Sequence, residues 1–467
     1  MESGHPYLPI TKEDEEEMLK SIGRESLEEL FSTIPEKFRL KRELKIPDSH
    51  SELEVTRRIQ ELAGRNQSRE DGRIFLGSGV GLHYIPAAVR AIVGRSEFVT
   101  AYTSYQPEIS QGMLQTLFEY QSLMAELLSV DVVNSSMYDM ASALAEAARM
   151  TVRIGARRSR FLVPSTINPM HFRVLSTYAE PAAIEVQKVE YDHATGLMSI
   201  ADLRSKVDDT VAGVYIENPS YLGFIETQVD EISKVVHDAG AFLVAGVDLL
   251  SLGVMRPPGS YGADIVIGEG QELGSPVSYG GPLLGVFGCR MDRRLVYQMP
   301  GRLVGMTRTT TEPYERGFVL TLSPREQHIR REKATSNICS NEALLAVTAA
   351  IYLSLLGPAG LKQIGEAIAY RSNYAAKELS TIPGVLAPAI GRAVWKEFVV
   401  RFEKGVSVKA VHDGLLAHHM HGGVSLTKEF PALGEAMLLS VTEVHTKAMI
   451  DDLVKTVRET VTRGGRR

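Results

Sequence analysis

Across 467 residues this chain has only two cysteines, Cys289 and Cys339, and a single tryptophan. Two cysteines make neither a disulfide framework nor a spaced metal cluster, so no metal site is expected and a reducing compartment fits. A basic surplus is also missing: 51 Lys and Arg stand against 57 Asp and Glu, a formal charge of −6. Nucleic-acid binders normally show the opposite balance, so no nucleic-acid partner is expected. The short run Arg157-Arg158-Ser159-Arg160 reads as the solvated end of a helix. No uninterrupted apolar run is long enough to span a bilayer. The start of the chain has no apolar signal core either, since residues 11–20 are rich in Asp and Glu. These absences predict a cytoplasmic protein with no membrane partner. What is present is ordinary for a globular chain: 44% apolar and 23% charged residues, with length enough for two or more lobes.

The pattern of apolar residues divides the chain into three parts. Residues 1–70 read as an N-terminal helical arm, with Thr11/Asp14, Ser26/Glu29 and Ser51/Glu54 as helix-starting capping pairs. Such an arm would wrap another lobe or subunit. Residues 71–335 alternate helical patterns with short apolar runs at 161–163, 183–186, 213–216, 242–245, 264–267 and 283–287. Repeated strand–helix units argue for a large, mostly parallel α/β lobe covered on both faces. Residues 336–467 read as a smaller α+β lobe. It opens with a helix over 341–356 that ends at Gly357-Pro358, and its strands are expected at 394–402 and 437–441.

Two blocks are too polar for core and too specific for loop. One is Ala101-Tyr-Thr-Ser-Tyr-Gln-Pro-Glu-Ile-Ser-Gln-Gly112; the other runs from Arg325 to Asn341. Buried polar groups need partners, so each block suggests a site or an interface. In the first, Tyr102, Tyr105, Gln106, Glu108 and Gln111 read equally as the lining of a pocket or the rim of an interface, or as the surroundings of a helix start. In the second, His328, Arg330, Arg331 and Lys333 alternate with Glu326 and Glu332, which favours ion pairing between lobes or subunits. Gly77-Ser-Gly-Val-Gly81 lacks the spacing of a dinucleotide fingerprint and reads more readily as a turn than as a phosphate cradle, and Val277-Ser-Tyr-Gly-Gly-Pro282 reads as a turn. Asp248 ends an apolar strand, where it either faces a ligand or caps the next turn. Neither Cys339 nor His328 has a catalytic partner nearby in sequence.

Several of these blocks together resemble the glycine-decarboxylating P-protein of the glycine cleavage system. They are Tyr102 to Gly112, Asn134-Ser-Ser-Met-Tyr-Asp139, Gly262-Ala-Asp264, Gly268-Glu-Gly-Gln271, Gly280-Gly-Pro282, Pro300-Gly-Arg-Leu-Val-Gly305 and Arg325 to Asn341. The likeness is to the N-terminal half, which in split systems is subunit 1, the alpha subunit. Met140 and Ser104 depart from the residues usual there. The resemblance implies an aspartate-aminotransferase-like fold, the fold type I of pyridoxal-phosphate-dependent transferases. It also implies an activity: glycine loses its carboxylate as carbon dioxide, and the aminomethyl group passes to the lipoyl group of the H-protein, with pyridoxal phosphate as electron sink.

That cofactor is held through a lysine amine, expected after the late strand of the large lobe. No lysine occurs between Lys234 and Lys333; Gln271 and Glu272 stand near its expected place. The resemblance therefore implies a chain that contributes no catalytic residue and does not anchor the cofactor. A beta subunit would hold it, in a heterotetramer of the alpha2beta2 kind. Lys333 as a substitute is disfavoured by its charged neighbours.

Overall fold

The capping pairs expected at Thr11 and Ser51 form: each hydroxyl accepts the backbone N–H three residues on, and Asp14 and Glu54 reach back to the cap. The pair expected at Ser26 does not. Its hydroxyl makes no cap, and Glu29 accepts the N–H of Glu25 instead. The computed structural model describes residues 7, 9–66, 73–100, 102–155, 157–403 and 405–464. They divide into two compact units, separated after Asn66. In the first unit nearly every apolar side chain is exposed, and Leu19 is its buried residue. Helices Lys12–Ser21 and Glu52–Ala63 thus carry apolar surface that their own unit is too small to bury.

In the second unit the apolar runs become a seven-stranded sheet. Its strands are β1 (Val132–Val133), β2 (Arg160–Pro164), β3 (Glu185–Val189), β4 (Val211–Glu217), β5 (Phe242–Asp248), β6 (Ile265–Glu269) and β7 (Gly285–Cys289). Their spatial order is β1-β7-β6-β5-β4-β2-β3. Strands β3, β2, β4, β5 and β6 run parallel, while β7 is antiparallel to both β6 and β1. Strands β4 to β7 are buried along nearly their whole length, because helices cover both faces. Helix Met140–Gly155 packs on one face. Helix Gln111–Leu128 and the first half of Ala343–Ser380 pack on the other. That last helix is long and apolar enough to cross a membrane. It is nonetheless broken at Gly357, whose φ of 58° leaves the helical region, and one face lies in the core.

A hairpin of β8 (Leu303–Arg308) and β9 (Arg316–Thr321) follows β7 and was not evident from the sequence. Strands β10 (Val385–Leu386), β11 (Glu397–Phe402), β12 (Val424–Ser425) and β13 (Ala436–Ser440) form an antiparallel sheet in the order β10-β11-β13-β12. Helices Val408–Ala417 and Lys447–Gly464 cover it. The basic run at 157–160 is not simply solvated. Arg158 donates to Val211 O at 2.7 Å and Ala239 O at 3.0 Å, and Arg160 pairs with Asp208 at 3.0 Å.

The small sheet meets the large one where Gly223, in the loop after β4, lies against the start of β11. A Cβ on Gly223 would stand 1.7 Å from the carbonyl oxygen of Glu397, and its φ of 90° is closed to other residues. Gly223→Ala is expected to cost about 3 kcal/mol or more in urea unfolding of the full chain; an unchanged midpoint would refute this close approach.

Candidate active-site cleft

Parallel strands deliver their carboxyl ends to one edge of a sheet, which is where open α/β folds bind ligands. Here Asp248 closes β5, and Glu272 lies in the turn after β6. Between them comes the amine of Lys396, contributed by the small lobe just before β11. Lys396 Nζ pairs with Asp248 and lies 2.9 Å from Glu272 Oε2. The lysine is 4% exposed and Glu272 5%. Burial opposes the ammonium, but Asp248, Glu272 and Glu397 outweigh it and hold the amine above its ordinary range. Burial would also push Asp248 up, yet the adjacent ammonium keeps it below the usual carboxylate value. Glu272 is pushed up, first by burial and then by Asp248. Of the two roles Asp248 had from sequence, the turn cap forms: its Oδ1 accepts from Ser251 N at 3.1 Å, while Oδ2 pairs with the lysine of this same chain. Buried His83 extends the cluster, with Nε2 3.7 Å from Glu272 and Nδ1 2.9 Å from Glu443.

Two further anion-binding places open on the same cleft, and each already holds a carboxylate. The glycine-rich loop is one. Ser78 and Gly79, both at positive φ, turn their N–H groups onto Glu397 Oε1 at 2.5 and 3.1 Å. A Cβ on Gly77 would stand 2.7 Å from Ser440 Cβ and displace that carboxylate, so glycine keeps the nest open. The loop is thus a carboxylate nest rather than a plain turn. The other is the N-terminus of helix Met140–Gly155. Glu269 accepts from Met140 N at 3.2 Å, Gln271 N at 3.1 Å and Leu284 N at 3.0 Å, and Asp139 takes Ser142 N at 2.6 Å. Burial pushes Glu269 up to about 7. What remains is a cavity of about 50 Å³. Small-molecule sites hold roughly 300–1,000 Å³, so this one has room for a few waters.

Of the residues singled out from sequence, Glu272 belongs to this cluster. Gln271 turns away and donates to Ser275 O at 2.7 Å. Lys333 is exposed, and it is Lys396 that reaches the cleft, a residue the sequence reading missed. Its only local signal was a lysine–glutamate pair beside the single tryptophan, Trp395, in an otherwise apolar strand.

The two polar blocks do meet, through a third motif. Arg302 is 4% exposed. It donates to Tyr105 Oη at 3.0 Å, Thr103 Oγ1 at 3.3 Å and Cys339 O at 3.0 Å, and stacks on the Tyr105 ring at 5.1 Å. Asn134-Ser-Ser-Met-Tyr-Asp139 joins the same knot. Asn134 donates to Pro300 O at 3.0 Å, while Ser136 and Tyr138 accept from Glu342 N at 2.9 Å and Cys339 N at 3.1 Å. Gln111 brackets the backbone of Phe318 in β9, accepting at 2.8 Å and donating at 2.9 Å. Tyr102, Gln106 and Glu108 are exposed. His328 is exposed and makes a 3.6 Å approach to Glu326. Arg330 and Arg331 are exposed like Lys333, and the expected internal ion pairs of these three are not among those of the described residues. Helix formation in this block ends within a turn, so the alternating charges never line up on one face.

Solved structures place this architecture. A sphingosine-1-phosphate lyase of Burkholderia pseudomallei K96243 superposes with a TM-score of 0.66 over 93% of this chain and 95% of its own, at 14% identity. The fold is the aspartate-aminotransferase-like fold type I of pyridoxal-phosphate-dependent enzymes. The model of the glycine cleavage system P-protein family matches residues 5–457. The chain belongs to that family. It is 46% identical over 465 residues to a probable glycine dehydrogenase (decarboxylating) subunit 1 of Staphylothermus marinus, spanning 98% of both chains. It is 48% identical over 456 residues to one of Pyrococcus abyssi, spanning 97% of this chain and 99% of that one. A crystal structure of glycine decarboxylase (P-protein) in inhibitor-bound form has a TM-score of 0.87 at 36% identity, over 98% of this chain and all of that one.

Two outcomes follow from this geometry. A carboxyl whose folded pKa is raised from the ordinary 4.5 to about 7 stabilises the fold below about pH 4.5 and loses that contribution as pH rises toward 7. Glu269→Gln should remove on the order of 3 kcal/mol of this pH dependence, read as a flatter plot of unfolding midpoint against pH between those limits. An identical slope in the variant would contradict the assignment. Arg302→Met should leave Tyr105 and Cys339 O without their donor and open residues 325–341 to limited proteolysis, at a cost of about 2 kcal/mol or more. Unaltered cleavage would show that the knot does not depend on Arg302.

Proposed function

We propose that this chain is the cofactor-free alpha subunit of a two-subunit glycine decarboxylase. With a beta partner, as an alpha2beta2 assembly, it would release carbon dioxide from glycine and pass the aminomethyl group to the lipoyl group of the H-protein. The assembly would be cytoplasmic. The family and the subunit 1 relatives support the reaction class. One observation carries the cofactor-free part: the amine of Lys396 is held as an ammonium between Asp248 and Glu272. A lysine that forms a Schiff base must present a free amine, and enzymes achieve that by lowering its pKa; here the carboxylates raise it. A pyridoxal phosphate also needs a counter-charge for its ring nitrogen and a cradle for its phosphate. Asp248 already has its cation, and the helix start at Met140 already has Glu269 and Asp139. The residues present do not fit the cofactor, and no step of the reaction is assigned to them.

The alternative reading, an independent pyridoxal-phosphate enzyme, draws on the presence of Lys396 at the cleft. A simple comparison separates the two. Added pyridoxal phosphate should leave the purified chain without a bound-cofactor absorbance, and borohydride should label none of its lysines. Glycine-dependent carbon dioxide exchange should need both this chain and the beta subunit. Labelled Lys396, or full exchange by beta alone, would overturn the proposal.

A further inference from the structure

The cleft is shut by charges from both lobes, and the way they are arranged has a structural cost. Lys396 sits at φ 55°, a backbone region that disfavours residues with a side chain beyond glycine or asparagine. The distortion sets the stem so that its amine leaves the small lobe and enters the large one. There it meets Asp248 and Glu272, and Glu272 is fixed in turn by the N–H of Leu250 at 3.1 Å. The residue next in sequence, Glu397, sends its carboxylate to the glycine-rich loop. His83 and Glu443 complete the charged groups around the amine.

We infer that Lys396 is an internal occupant of the cofactor position, a side chain that supplies Asp248 and Glu272 with the cation a bound ligand would otherwise bring, and thereby latches the two lobes. The inference deepens the cofactor-free reading and rests on it. It has a consequence that reading lacks. Once the lysine side chain is shortened, the cleft becomes a site for a small primary alkylammonium ion: the space where the stem lay, with two carboxylates at its end. A bulky quaternary cation or a hydrated sodium ion lacks the N–H groups or the shape to replace it.

Thermal melting of the full chain tests this. Lys396→Met keeps the stem and removes the charge, and its midpoint should fall by on the order of 5 °C or more, because two buried carboxylates lose their partner. Adding Asp248→Asn and Glu272→Gln to Lys396→Met should restore at least half of the loss. Lys396→Ala should melt low and recover with propylammonium or butylammonium chloride, but not with equal concentrations of tetramethylammonium or sodium chloride. Should Lys396→Met give no folded protein, the triple variant decides: a folded triple variant supports the latch, and an unfolded one overturns it. A Lys396→Met midpoint equal to the parent's, or a Lys396→Ala recovery that is the same in every salt, would also overturn it. Labelling of Lys396 by pyridoxal phosphate would break the cofactor-free reading separately, since melting does not report on it.

Discussion

One buried ammonium between two carboxylates organises the functional edge of this molecule. Lys396 comes from just before β11 of the small sheet and is neutralised by the end of β5 and the turn after β6 of the large one. Buried charges are tolerated only when paired and hydrogen-bonded, so each member dictates the position of the others. Asp248 has to end β5 inside the cleft, Glu272 has to turn inward after β6, and the chain at 395–397 has to accept a left-handed residue. The close approach of Gly223 to Glu397 and the nest at Ser78 and Gly79 follow from the same demand.

The fold type explains why such pairing matters. A sheet whose parallel strands end at one edge gathers backbone donors and strand-end acids there, and ligands with both charges settle on them. In this chain the three places that would receive an anion or a cation are satisfied by Glu397, Glu269 and Lys396. Polar groups gather instead around buried Arg302, where the segments at 103–105 and 339 share one guanidinium. The chemistry of the cleft is therefore internal, and the exposed polarity lies at Tyr102, Tyr105 and the basic residues near Arg330.

Much of this was legible from the residues alone, and the reasons are physical. Strand–helix alternation is a local signal, so β2, β4, β5 and β6 fell where apolar runs were read; β3 began two residues later than expected because Ala183 takes a left-handed turn. Gly357 marked a real break, though the helix resumes at once. The β8–β9 hairpin was not legible, since its half-buried strands mix arginine, glycine and threonine with apolar residues that run together rather than alternate. Gln271 and Glu272 were placed near the right spot by family likeness, yet only Glu272 points into the cleft. Lys396 lies 124 residues beyond Glu272 in sequence. No local pattern announces a contact between residues so far apart; it exists only once the small sheet has docked.

The most direct trial of the account is a crystal of the full chain grown with excess pyridoxal phosphate. The account predicts that Lys396 Nζ stays on Asp248 and Glu272, with Glu269 still seated on the N–H groups of Met140, Gln271 and Leu284. Continuous density from Lys396 to the aldehyde, with a phosphate in place of Glu269, would contradict it.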